Sequence, residues 1–143
     1  MDARPIEAET YLAKAMQSFR GAESEFLHHR YNNVANRAYY ACFQAAVAAM
    51  AHEGAGSESK RSHPMMQVDF VTELIDRRGI YPRTLRPVLK QAEDLRLKAD
   101  YALESVSAEG AARVLTRARS FLGAVRARVM EGRSVGRLEP ENR

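Results

Sequence analysis

The chain has 143 residues, 22 basic and 18 acidic for a formal net charge of +4, with one cysteine and no tryptophan. That is one domain's worth of chain, able to bury roughly two thirds of its unfolded surface in a single core, and a lone cysteine excludes both a disulfide framework and a Cys-rich zinc site. Met1 to Pro5 lead straight into a charged amphipathic segment, and no apolar run reaches the ~18 residues that span a bilayer, so a soluble cytoplasmic protein without membrane association is expected.

Apolar residues recur at helical spacing almost throughout and nowhere alternate with period two, which predicts an all-α fold, an antiparallel up-and-down bundle of four to five helices. The first helix is expected over about Ile6 to His29. Its stripe is Leu12, Ala15/Met16, Phe19, Ala22 and Phe26, the pattern of a helix packed lengthwise in a bundle. Tyr31-Asn32-Asn33 reads as a break, with Asn33 capping the second helix, Val34 to His52. That helix is alanine-rich and apolar on nearly every side, which makes it the central one and makes Cys42 a small core residue. Its polar exceptions Asn33, Arg37, Tyr40 and Gln44 fall on one line at i, i+4, i+7 and i+11, a polar seam beside Asn36.

A Gly/Ser loop over 54–62 follows, with Ser62 as cap for a third helix from His63 to Arg78. Pro64 suits its first turn, Val68, Val71, Leu74 and Ile75 form its expected buried face, and Gly79 fits the left-handed position that ends a helix. The fourth helix is predicted from Thr84 to Ser105, with Pro87 in the first turn and Leu85, Val88/Leu89, Ala92, Leu95, Ala99 and Leu103 inward. Ser107 can cap a fifth, Ala108 to Glu131, whose stripe is Ala111, Val114/Leu115, Ala118, Phe121/Leu122, Val125 and Val129. Residues 1–131 thus read as one bundle and 132–143 as a basic, flexible tail. Residues 111–143 carry eight arginines against three acidic residues, so the whole positive excess is C-terminal, either a solvated face or a surface for phosphate.

No glycine-rich phosphate loop, H-E-x-x-H, C-x-x-C or G-x-S-x-G occurs, and the four histidines never pair at i, i+4, so neither a metal nor a cofactor is expected. Three short stretches carry the information instead: Asn36-Arg37-Ala38-Tyr39-Tyr40-Ala41-Cys42-Phe43, Lys60-Arg61-Ser62-His63 and Arg96-Leu97-Lys98-Ala99-Asp100-Tyr101. In that order they resemble the small, stand-alone prokaryotic members of the HEPN family, over roughly residues 8 to 130.

The resemblance implies a helical bundle, usually a homodimer, with its functional groove between helices or across the dimer axis. Many relatives are metal-independent endoribonucleases, often toxins paired with a minimal nucleotidyltransferase antitoxin, and others are noncatalytic RNA- or nucleotide-binding modules. The nuclease members carry an arginine followed, after four to six intervening residues, by a histidine. Here that pattern is absent: positions 101 to 103 after Arg96 are Tyr, Ala and Leu, and no other arginine has a histidine at the required separation.

Metal-free RNA cleavage needs a base, an acid and a cation on the phosphate. Arg37 and Arg96 can hold phosphate, His63 is the titrating group expected near them, Asp100 can orient His63 or Arg37, and Tyr40 and Tyr101 can donate hydrogen bonds or stack a base. The same residues also read structurally: Arg96 and Asp100 stand i, i+4 and can simply pair, Asp100 can neutralise Arg37 inside the bundle, and Tyr39 falls in the core. Three functions therefore stand side by side. The chain is an RNA- or nucleotide-binding component of a toxin–antitoxin or defence-like pair using Asn36, Arg37, Tyr40, Arg96, Asp100 and Tyr101; a ribonuclease built on His63, Arg37 and Arg96; or a noncatalytic interaction module.

Overall fold

In a computed structural model of the protein, residues 4–55 and 63–138 are described, with side chains over 5–55 and 63–131. All regular structure among them is helical: α1 (Arg4–Leu27), α2 (Tyr31–His52), α3 (His63–Asp69) running on as a π-helical segment (Phe70–Arg77), a 3₁₀ turn (Arg83–Leu85), α4 (Val88–Tyr101) and α5 (Ala108–Leu138). The all-α bundle expected from the apolar spacing is the fold. α2 is its axis, packed on α1, α4 and α5, and from Ala45 to Ala51 every residue is buried. Only small side chains let three helices approach one helix so closely, which is why the alanine-rich segment is central. Cys42 lies fully buried there, and loss of solvation pushes its thiol up to about 12, as befits a small core residue.

The stripes of α1 and α5 lie inward as spaced in the sequence: Leu12, Ala15, Phe19 and Ala22 on α1, and Ala111 through Val129 on α5. Ser107 caps α5 as expected, its Oγ accepting the Gly110 N–H at 3.0 Å. The backbone helix of α5 continues past Glu131 to Leu138.

Four expectations need correction. The break between the first two helices is His28 to Arg30, not Tyr31 to Asn33: His29 takes the left-handed conformation (φ 62°), and α2 begins at Tyr31 with no side-chain cap. Asn33 instead donates to Glu25 Oε1 at 3.0 Å, and Asn32 Oδ1 accepts the Val106 N–H at 2.8 Å. Val68 is 61% exposed, because the wide i→i+5 turns after Asp69 bring residues four to five apart into line and put Met66, Phe70, Leu74 and Ile75 inward. The fourth helix starts at Val88, with Pro87 at its N-cap position, and ends at Tyr101 rather than Ser105. Ala102 turns extended, so Leu103 is fully exposed and Val106 takes the buried place instead. The expected Ser62 cap lies outside the described residues.

Candidate nucleotide-binding groove

Position 39 of α2 points into the bundle and position 40 to its edge, so the adjacent tyrosines do different work. The Tyr39 hydroxyl lies 2.9 Å from His63 Nδ1 and receives the Gln67 amide N–H at 3.4 Å. His63 stacks on Phe43 with ring centroids 3.8 Å apart and meets the edge of Tyr40 at 6.2 Å. Burial holds the Tyr39 phenol above its ordinary range, against the pull of the Gln67 bond and Arg96. Burial, then the neighbouring Arg96 charge, holds His63 below its ordinary value, with Glu93 acting the other way. His63 is thus neutral at pH 7. The Tyr39 oxygen accepts from Gln67, and the Tyr39–His63 bond is satisfied by either tautomer of the neutral imidazole, the phenol donating to Nδ1 or Nδ1–H donating to the phenol.

Arg96 reaches across from α4. Its guanidinium lies 4.9 Å from the Tyr39 centroid and 5.9 Å from that of Tyr40, and its NH1 donates to Asp100 Oδ2 at 3.2 Å. The i, i+4 pairing read from the sequence is therefore present, and Asp100 makes no hydrogen bond to Arg37 or to His63. Nε of Arg96 is buried without a partner.

Arg37 differs. Its stem passes α1 at Gly21, its guanidinium sits 5.4 Å from the Tyr40 centroid, and NH2 donates to Asn36 Oδ1 at 3.1 Å. The side chain is exposed and no described carboxylate pairs with it, whereas Arg30 is bound to Glu25 at 2.9 Å. Tyr40 thus carries a guanidinium from each of two helices, an arrangement worth about 0.5–1 kcal/mol per exposed pair.

The seam splits into two kinds of residue. Asn33 is taken up by Glu25, and the Gln44 amide meets the Ser18 hydroxyl at 2.7 Å, so both ends pin α2 to α1. Arg37, in the middle, faces a polar groove of about 510 Å³, walled by Asn32, Asn33, Asn36 and Arg37 of α2, Glu25 of α1, and Ala99 and Asp100 of α4, whereas Tyr40, His63 and Arg96 are not among its walls. That volume suits a nucleotide. Tyr101 stands apart, 79% exposed at the end of α4, with no ring contact or hydrogen bond to a described residue.

The sequence reasoning placed Tyr39 in the core, where it is, without its role as the link to His63. Gln67 and Glu93 went unnoticed, and Phe43 stood in the α2 motif without a role. The signal for Gln67 was its i, i+4 spacing from His63, and for Glu93 its i, i−3 spacing from Arg96.

No cluster of three or more His, Cys, Asp or Glu side chains among the described residues can hold a metal ion, and no described helix is long and apolar enough to cross a membrane. No curated protein matches the sequence. Residues 8–128 match the family model described as HEPN domain, which takes in α1 from its second turn, the π-helical segment, the groove and nearly all of α5 whose side chains are described. With the motifs on α2 and α4 inside the matched span, the chain belongs to the HEPN domain family.

Proposed function

We propose that the protein binds single-stranded RNA or a nucleotide in the groove between α2 and α4, with Arg37 as the phosphate-holding group. The observation that carries this reading is the contrast between two arginines on one tyrosine. Arg96 is neutralised by Asp100 and mostly enclosed, while Arg37 is exposed, free of any described carboxylate and oriented by Asn36 and Tyr40 at the rim of a nucleotide-sized groove. A guanidinium so held keeps most of its donors for a phosphate and gives up little conformational freedom on binding.

In this reading His63 and Arg96 shape the wall behind Tyr40, and Asn36 and Tyr40 orient Arg37. Membership of a toxin–antitoxin or defence-like pair, a minimal nucleotidyltransferase as partner, and a homodimer all belong to the same proposal and rest on family resemblance. Co-purification with such an enzyme and sedimentation at twice 16.1 kDa are their readouts.

The test is fluorescence anisotropy with a labelled single-stranded RNA. Arg37→Ala weakens binding about tenfold, while Arg86→Ala, which removes an arginine already bound to Asp76 at 2.7 Å, leaves it unchanged. Equal affinity of wild type and Arg37→Ala overturns the reading.

A further inference from the structure

Of the large apolar side chains exposed among the described residues, Ile6 and Leu27 stand on α1, and the others gather around α3 and α4: Met65, Val68, Leu97, Tyr101 and Leu103. Lys90, Asp94, Leu97 and Tyr101 fall on one line of α4 at i, i+4, i+7 and i+11. Beside the start of that line lies an apolar cleft of about 340 Å³, floored by the buried Leu89 and flanked by Val68 of α3 and Val71 of the π-helical segment. One face thus offers both a cleft and the projecting side chains of Leu97 and Tyr101, and a surface that carries both can be complementary to itself.

On the reading that the chain is a homodimer, we infer that this face is where two copies meet, with α4 crossing α4 antiparallel. A two-fold axis passing between Asp94 and Leu97 sets Tyr101 of one copy opposite Lys90 of the other, at the mouth of its cleft. The same register sets Asp94 opposite Lys98, an exposed cation with no ion pair to a described residue. Charge favours a second copy over RNA as the occupant. Arg86 at the rim is bound to Asp76 at 2.7 Å and Lys90 to Asp94 at 3.0 Å, so the face carries both signs and little net charge. The outer face of α5 is the contrast: Arg113 and Arg117 stand exposed at i, i+4 with no described carboxylate on them, a surface that repels its own copy. Pairing through α4 removes the exposed apolar side chains from water and leaves Ala99 and Asp100, on other sides of the helix, at the groove.

The test is sedimentation equilibrium of the full chain, with far-UV circular dichroism to show that each variant is folded. Wild type sediments at twice 16.1 kDa. Val68→Asp and Tyr101→Asp, both at exposed positions, each weaken the dimer about tenfold or more, while Leu27→Asp, equally exposed on α1, leaves it unchanged. Asp94→Lys weakens it about tenfold by setting like charges against each other, and adding Lys98→Asp restores most of the loss. A monomeric wild type overturns both the homodimer and the face. A dimer that survives Val68→Asp and Tyr101→Asp, or one lost equally in Leu27→Asp, overturns the face and leaves the homodimer standing. Loss of RNA binding by Val68→Asp with the dimer intact gives the face to RNA and overturns the pairing. RNA binding in the groove is read separately, by Arg37→Ala.

Discussion

At the residue scale the Tyr39–His63 contact ties the buried core to the groove. His63 has a folded-state pKa below its ordinary value near 6.5, so as pH falls below that value the unfolded chain takes up the proton before the folded chain does. The contribution of His63 to stability is therefore complete above about pH 6.5 and is lost as pH falls through the lowered folded value. Glu25 and Asp76, held low by their arginine partners, act further down, in the carboxylate range. Urea unfolding at pH 7 and near pH 5 separates these windows. Tyr39→Phe costs about 1 kcal/mol at pH 7 by leaving Gln67 and His63 Nδ1 without the phenol. Arg96→Gln shrinks the drop between the two pH values, because a positive charge that holds His63 low is gone. An unchanged drop in Arg96→Gln contradicts that cause. Little of this was legible in the sequence, where Tyr39 looked like any buried aromatic: a hydroxyl's partner 24 positions away follows from how α3 docks on α2, not from spacing.

At the element scale, periodicity located the helices and failed where the backbone left α-helical geometry. The stripes of α1, α2 and α5 were readable because those helices keep one period along their length. The third was misread because a π-helical segment changes which residues share a face, moving Val68 out and Phe70 in. The turn at His29 was not read, because histidine, though enriched among non-glycine left-handed residues, marks such a position far less clearly than glycine does. Gly79 did give a signal. It sits at φ 61° after the π-helical segment, and Ile80 N–H closes that end on Leu74 O at 2.8 Å. A Cβ at Gly79 meets nothing within 4 Å, so Gly79→Ala isolates backbone strain and lowers stability by about 1 kcal/mol in urea unfolding. A neutral effect contradicts the left-handed assignment.

At the scale of the whole molecule, helices distant in sequence are joined by a few charged side chains, and these decide which arginines remain free. Glu53, just past α2, receives Arg128 of α5 at 2.8 Å, while its carbonyl accepts from Arg78 at 3.0 Å. Glu53→Gln weakens this junction by about 1 kcal/mol, at the low end for a charge-assisted bond because Arg128 is half-exposed. A thermal midpoint equal to wild type contradicts that role. Arg119 is likewise bound to Glu23 at 3.3 Å, so part of the C-terminal positive excess is neutralised by α1 at the surface, a division that charge counting along the chain has no means to reveal. The motif residues on α2 and α4 were legible as a group. The pairing of Arg96 with Asp100 was legible in their i, i+4 spacing, but that Arg37 stays open, with no bond to Asp100, was not, because it depends on which helix faces α4. That difference between the two arginines is the central claim, and the salt dependence of single-stranded RNA binding tests it most directly. If Arg37 contacts phosphate, the plot of log affinity against log salt is steep for the wild type and shallower by about 0.7 for Arg37→Ala, with weaker binding at every salt concentration. Identical slopes and affinities for the two proteins contradict it.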